Sequence, residues 1–123
     1  MAVTHPAAVR TIIADAVVDS IDVGGAGSLI FQTSGDVEVA TLTFSATAFG
    51  AASGPTATAA AITNDTNATG GTIAKFKIQN GSAADAGFAG AVSTSGSDIN
   101  LSSLAVGASD TVSISSLTYT APV

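Results

Sequence analysis

The sequence predicts a mainly β fold, an antiparallel β-sandwich or jelly roll of about seven or eight strands with one N-terminal amphipathic helix. One segment, residues 8–22, carries apolar residues at helical spacing. After it, short alternating runs are separated by Gly, Ser, Asn and Asp at intervals of about eight to twelve residues, as in sandwiches and barrels. No linker divides the 123 residues. We therefore expect a single domain, 1–123, with an arm at 1–7, the helix at 8–22 and the β-sandwich at 28–120.

The helix is predicted from one apolar stripe, which consists of Val9, Ile12, Ile13, Ala16, Val17 and Ile21. The residues off the stripe are Arg10, Thr11, Asp15, Asp19 and Ser20. Thr4 and Pro6 suit a helix start, and the pair Gly24-Gly25 suits a left-handed C-cap. Because about four helical turns are not stable alone, we expect the stripe to be buried against the β-sandwich or against another subunit.

Seven alternating runs predict strands, at 28–33, 37–44, 55–63, 72–79, 86–94, 99–101 and 110–120. In the second run, Leu42 and Phe44 mark the face expected to be buried, which places Val39 on the other face. In the fourth run, Phe76 and Ile78 face the core, and Ile73 shares the opposite, mostly polar face.

Two local features refine the strand prediction. Asn80-Gly81 is a strong signal for a hairpin with a type I′ turn, which joins the fourth run to the fifth. The closing strand, 110–120, is expected to be long, with a bulge at Ser115-Ser116 where its alternation shifts.

The composition of the chain excludes some classes of binding partner. Charged residues make up 10% of the chain, and the net charge is −6. The strong bases are Arg10, Lys75 and Lys77. Nucleic-acid binding needs several cations, so nucleic acid is excluded as a partner and anionic membranes are disfavoured. The lack of cysteine excludes disulfides, thiolate zinc sites and cysteine nucleophiles. No apolar run reaches the roughly 18 residues of a spanning helix, and the N-terminus lacks a signal-peptide pattern.

Ionisable residues offer few candidates for chemistry. His5, the one histidine, has no partner base nearby, and a solvated arm residue is preferred over a general base. Asp15, Asp19 and Asp22 recur on the polar helix face, and such carboxylates can bind calcium or transfer protons. A solvated face that is free to meet a partner is the preferred interpretation. We predict no catalytic residue, no metal site and no cofactor.

Three further features have structural interpretations. The turn 64–67 (Asn-Asp-Thr-Asn) offers several oxygens but lacks the Glu of a calcium loop, so Asx-turn hydrogen bonds are preferred. Gly24-Gly25 and Gly70-Gly71 do not have the spacing of a phosphate-binding loop. Lys75 and Lys77 share one strand face, where they either protect an edge strand, which is favoured, or meet an acidic partner.

Three segments, which cover nearly the whole chain, carry a resemblance: RTIIADAVVDSIDVGGAGSLIF, VATLTFSATAFGAASGPTATAAAIT and SGSDINLSSLAVGASDTVSISSLTYTAP. They contain a helix that ends in a Gly/Ala turn, a strand with L-x-F and a closing T-V-x-I-x-S-L-T-x-T strand. In these features the chain resembles small capsid cement, or decoration, proteins of tailed bacteriophages and prophages. The resemblance carries over the helix 8–22, its Gly24-Gly25 cap and the strand 110–120, but no contact residue.

The resemblance implies a non-enzymatic structural protein of the virion with a jelly-roll-like β body. It would be made in the host cytoplasm, form a homo-oligomer (dimer or trimer) and bind the outer surface of the major capsid protein shell, where it bridges capsomers. One alternative is a tail, fibre or baseplate component. A carbohydrate-binding β-sandwich is less favoured because such modules stack sugars on exposed aromatic rings, and this chain has no Trp and one Tyr.

Overall fold

The structure, a computed structural model, describes residues 3–96, 99–101, 103–114 and 116–121. Helix α1 spans Ala7–Asp19 and continues as one turn of 3₁₀ helix, Ser20–Asp22. The strands are β1 Ser28–Gln32, β2 Glu38–Thr43, β3 Thr56–Thr58, β4 Gly71–Thr72, β5 Lys75–Gln79, β6 Asp85–Ser93, β7 Ile99–Asn100, β8 Ala105–Val106 and β9 Thr118–Thr120. The predicted mainly β fold with one N-terminal helix is confirmed, and it resembles a small β-sandwich.

Strand β1 lies between β2 and β5 in a five-stranded sheet with the order β2-β1-β5-β6-β7. On the inner face of this sheet, Leu29 of β1 lies opposite Leu42 of β2 and Ile78 of β5. Phe31 of β1 lies opposite Phe76 of β5 in the same way. These side chains are buried, and each contributes about 1.5–3 kcal/mol of hydrophobic stabilisation. The predicted inward orientation of Leu42, Phe76 and Ile78 is therefore confirmed.

A second layer covers the inner face of the sheet. Strand β3 pairs with β9, and β4 with β8, in two short antiparallel pairs. One hydrophobic cluster joins the sheet to Val18 and Ile21 of the helical segment and to Ala57 of β3. Phe49, from the connection between β2 and β3, also enters this cluster, and its ring centroid lies 5.9 Å from that of Phe44. The helix end and the short strands thus form one core with the main sheet.

Only part of the predicted apolar stripe is buried against the β-sandwich, because Ile21 is buried whereas Val9, Ile12 and Ala16 are exposed on this chain. The fully buried residues of the helical segment are Ala14, Val18 and Ile21. Ala14 and Val18 follow Ile13 and Val17 of the predicted stripe by one position, and one position is about 100° around a helix. Ile13 and Val17 are half-buried at the border of the contact. The N-terminal half of the predicted stripe consequently points away from the β-sandwich.

Two residues that were assigned to outer strand faces are buried. The β1–β2 register shifts before Gln32, which lies opposite Glu38, so Val39 is an additional residue at a bulge and is buried. Ile73 precedes β5, and its N–H donates to the carbonyl of Leu104 at 2.9 Å. Because it lies outside the alternation of β5, its side chain joins the core with 1% exposure.

Strands β5 and β6 form the predicted hairpin, but the type I′ turn is wrong. The loop contains the five residues 80–84. The Asn80 Oδ1 atom accepts hydrogen bonds from the N–H groups of Ser82 and Ala84 at 2.9 and 3.1 Å, and Ala83 has a positive φ of 61°. The side chain of Asn80 therefore organises a longer loop than the two-residue signal indicates.

The predicted long closing strand is also wrong. Within 110–120, the described ladder is limited to β9, and Val112 forms an isolated bridge with Asp65. Ser115, part of the predicted bulge, lies outside the described residues. Strand β7 pairs in parallel with β6, so the sheet is not purely antiparallel. Along most of the described part of this segment, the alternating residues have no neighbouring strand to pair with.

Candidate interaction surface

Two helical carboxylates bind the connection between β2 and β3, residues 44–55. Asp15 Oδ1 accepts a hydrogen bond from the N–H of Ala52 at 2.7 Å, and Asp22 Oδ1 accepts one from the N–H of Ala48 at 2.8 Å. Backbone donors in irregular segments need acceptors from outside a ladder, and these carboxylates supply them. Asp15 was expected to lie on a free outer face, and this expectation is wrong because Asp15 faces the β-sandwich.

Two further side chains of the helix bind backbone carbonyls. Thr11 Oγ1 donates to the carbonyl of Gly54 at 2.6 Å, and Arg10 Nη2 donates to the carbonyl of Ala121 at 2.9 Å. The first bond reaches the connection before β3, and the second reaches the residue after β9. The N-terminal half of α1 is therefore fixed by polar contacts to both strands of the β3–β9 pair.

The C-terminal end of the helical segment packs against β6. Ser20 Oγ accepts a hydrogen bond from the N–H of Gly87 at 2.9 Å. Gly87 has a φ of +61°, and a Cβ atom at this position would lie 2.9 Å from Ile21 Cδ1. Glycine is therefore required here both by the backbone conformation and by the close approach of Ile21.

The opposite side of α1 is apolar and exposed. It consists of Ala8, Val9, Ile12 and Ala16, and we call it the outer helix face. Val9 is 38% exposed and Ile12 is 67% exposed. Exposed apolar residues that form a contiguous group, unlike scattered ones, are typical of interaction sites. The helix thus presents to solvent the side chains that its sequence pattern would place in the core.

Charge is distributed unevenly around the outer helix face. Asp19 lies at its C-terminal end and is exposed, and within the described part of the chain its side chain forms no ion pair. Lys75 and Lys77 alternate along β5 with core-facing Phe76 and Ile78, so the two lysines point to the outer side of the sheet. Asp19 therefore places one carboxylate at the C-terminal border of the outer helix face.

The two lysines of β5 are paired within the chain. Lys75 forms an ion pair with Asp36, and Lys77 forms one with Asp85 at 3.5 Å. Strand β5 lies between β1 and β6, so neither lysine protects an edge strand, and the favoured interpretation of this pair is wrong.

The other candidates from the sequence have structural roles or remain exposed. His5 is exposed in the arm before the helix. Asp65 Oδ1 accepts from the N–H of Asn67 at 2.9 Å and its Oδ2 accepts from the N–H of Thr41 at 2.9 Å, which confirms the Asx-turn interpretation. Gly24 and Gly25 have φ values of 80° and 121°, as expected of left-handed residues that end the helical segment.

A groove of about 590 Å³ lies beside the closing segment. Its lining includes Ile73, Leu101, Val106 and Val112. Among the described residues of this lining, Asp110 is the one ionisable residue, and its Oδ2 atom accepts a hydrogen bond from the N–H of Gly107 at 2.7 Å. The described part of the groove therefore brings no pair of acid and base groups together.

The described residues lack both a metal-binding cluster and a membrane-spanning helix. They contain no group of three or more His, Cys, Asp or Glu side chains arranged to hold a metal ion. They also contain no helix that is long and apolar enough to cross a membrane.

Comparison of the chain with protein-family models, with curated proteins and with solved structures gave no match. The outer helix face is thus identified by its own geometry. Sequence reasoning found the apolar residues and expected them to be buried against the β-sandwich or against another subunit. The side of the helix that faces the β-sandwich could have been recognised from the polar residues at 11, 15, 20 and 22. Thr, Asp and Ser commonly form hydrogen bonds with backbone groups of irregular segments.

Proposed function

We propose that this protein is a structural protein of a virion, a capsid cement or decoration protein that binds the outer surface of the major capsid protein shell and bridges capsomers. The observation that carries the proposal is the outer helix face, which is apolar and exposed, on a helix that is fixed to the β-sandwich. Such a face is suited to binding another protein. The resemblance of three long segments to cement proteins supplies the kind of assembly.

The physical requirements of a cement protein agree with this molecule. A shell that holds packed DNA under pressure is stabilised by many small clamps, each of which adds buried area across a boundary between capsomers. Oligomeric binding multiplies weak contacts by raising the effective concentration of each. A chain with 10% charged residues that is rich in Ser, Thr, Gly and Ala suits a protein that works inside an assembly.

A tail, fibre or baseplate role remains the first alternative, because the same outer helix face would serve it. A carbohydrate-binding role is disfavoured by the arrangement of the aromatic rings. Phe88 and Tyr119 stack on each other with centroids 4.9 Å apart, and Phe88 also contacts Phe76 at 5.9 Å. Phe76 is buried and Phe88 and Tyr119 are half-buried against these neighbours, whereas sugar-binding rings present an open face.

The deciding experiment measures copy number in purified virions of the phage or prophage that encodes this chain. A cement protein is present in numbers comparable to the capsomers, and purified shells made without it rebind it to saturation and resist heat better afterwards. Absence from particles would overturn the proposal. A few copies per particle would replace it with the tail alternative.

A further inference from the structure

Asn80 and Gly81 form the one Asn-Gly pair of the sequence, and they begin the loop between β5 and β6. The Cγ atom of an asparagine is an electrophile, and the backbone nitrogen of the following residue can attack it and close a ring. Glycine in second place favours this attack because it has no Cβ atom to crowd the nitrogen. The other asparagines, Asn64, Asn67 and Asn100, precede Asp, Ala and Leu. The pair at 80–81 is therefore the position where the sequence permits ring closure most readily.

Two backbone donors bind the side-chain oxygen of Asn80. The Oδ1 atom accepts hydrogen bonds from the N–H of Ser82 at 2.9 Å and from the N–H of Ala84 at 3.1 Å. When a nitrogen attacks Cγ, negative charge develops on Oδ1, and both hydrogen bonds become charge-assisted and stronger. Because the bonds strengthen as the charge develops, they stabilise the tetrahedral intermediate more than the intact amide. The two N–H groups thus have the arrangement of an oxyanion hole.

The attacking nitrogen and the leaving nitrogen are not held by other contacts. Within the described parts of the chain, the N–H of Gly81 donates no hydrogen bond, and the Nδ2 amide group of Asn80 donates none either. Gly81 is exposed, so hydroxide can reach its N–H. The amide proton can therefore leave without first breaking a hydrogen bond. The loop fixes the oxygen of the Asn80 side chain and leaves both reacting nitrogens free.

We infer that Asn80 is a self-modifying site, at which the folded loop converts the asparagine into an acidic residue. The N–H of Gly81 gives its proton to hydroxide, and the nitrogen forms a bond to Cγ of Asn80. The bond from Cγ to Nδ2 then breaks, and Nδ2 leaves as ammonia after it takes a proton from water. A second water opens the resulting succinimide ring. The net reaction exchanges the side-chain amide for a carboxylate, consumes one water and releases one ammonia, and it does not depend on the proposed function.

The loop distinguishes the two products of ring opening. Opening at Cγ gives an ordinary aspartate, whose carboxylate still accepts from the N–H groups of Ser82 and Ala84 and binds them more strongly than the amide does. Opening at the backbone carbonyl carbon gives isoaspartate, which adds one carbon to the main chain. Even a Cβ atom on Gly81 would lie 2.5 Å from backbone atoms of Gly24 and Gly25, so an enlarged main chain does not fit there. Aspartate is the product that the fold tolerates, and it changes the net charge of −6 by one further negative charge.

The test follows residue 80 by peptide mass spectrometry while the intact protein is kept in warm, mildly alkaline buffer. The folded protein is compared with the same chain unfolded in guanidinium chloride at the same pH, where the contacts to Oδ1 are lost. Ser82→Ala is the matched control, because it removes a hydroxyl group next to the site and keeps the N–H that binds Oδ1. Circular dichroism establishes which samples are folded.

We expect the folded chain to convert Asn80 at least as fast as the unfolded chain does, because only the fold places two donors on Oδ1. Asn64 and Asn67 are internal controls, and they should convert more slowly than Asn80 in both states. Ser82→Ala should convert at the rate of the wild type. Asn80→Asp, which imitates the product, should unfold at the same temperature as the wild type or at a higher one.

Three results would overturn the inference. If Asn80 stays intact in the folded chain, or converts more slowly there than in the unfolded chain, the two N–H groups hold the amide in place and do not assist the attack. If Ser82→Ala abolishes the conversion, the hydroxyl group and not the backbone donors is responsible. If Asn80→Asp unfolds at a lower temperature than the wild type, the loop does not accommodate the product.

Discussion

Both sides of helix α1 carry apolar residues, whereas the usual amphipathic helix has a polar outer side. The side that faces the β-sandwich buries the small residue Ala14 together with Val18, and it is bordered by Thr11 and Asp15, which bind backbone groups. The side that faces solvent carries Ile12, which is larger and more apolar than Ala14. An amphipathic helix of a globular protein usually carries polar residues on the side that faces solvent.

The difference shows that polar contacts can set the orientation of a helix. Residues 44–55 contain backbone N–H groups that have few strand partners, and leaving such groups unpaired in a buried place costs about 1–3 kcal/mol each. Turning Asp15 and Asp22 inward satisfies two of them. The same rotation exposes Ile12.

The most direct test of this difference truncates one apolar side chain on each side of the helical segment. We expect Ile21→Ala to lower the free energy of unfolding by about 2–4 kcal/mol, since Ile21 has 0% exposure within the core cluster. Ile12→Ala should change it by less than about 0.5 kcal/mol. Urea unfolding monitored by circular dichroism gives both values. A loss for Ile12→Ala that equals the loss for Ile21→Ala would show that the helix is buried on its outer face.

A smaller effect tests the contact between the 3₁₀ turn and β6. Gly87→Ala should destabilise the fold by about 1–3 kcal/mol, because alanine is strained at a φ of +61° and its Cβ would meet Ile21. Gly54→Ala is the matched control, since Gly54 has a φ of +59° and an open environment. The amount by which Gly87→Ala loses more stability than Gly54→Ala measures the cost of the close contact with Ile21. Equal losses in thermal unfolding would show that Ile21 moves aside without cost.

The smallest effect concerns the polar anchors. Asp15→Ala should lower the free energy of unfolding by about 1 kcal/mol, because the N–H of Ala52 loses its acceptor. Asp19→Ala should be neutral or slightly stabilising, since a carboxylate near a helix C-terminus is unfavourable with the helix dipole. Hydrogen exchange at Ala52 provides a local measurement, and it should accelerate only in Asp15→Ala. If both variants behave alike, Asp15 does not hold the loop.

Much of the architecture could be predicted from local patterns. The strands around Leu29, Leu42 and Phe76 were identified because alternation with a period of two matches a sheet with one buried face. The hairpin at Asn80 was found because its turn residues are characteristic, but its length depended on how the Asn80 side chain bonds. The closing segment around Val112 was misjudged because alternation does not reveal whether a neighbouring strand is present.

The candidate surface depended on information that the helix alone does not contain. The sequence by itself determined that α1 would form, that the helical segment would stop before Gly24 and that Ile12 would lie on an apolar side, because these follow from spacing and backbone preference along the chain. Only the tertiary structure decided which side faces inward. That choice depends on the acceptors required by distant backbone groups, such as the N–H of Ala52, and these are positioned by the β-sandwich and not by the helix.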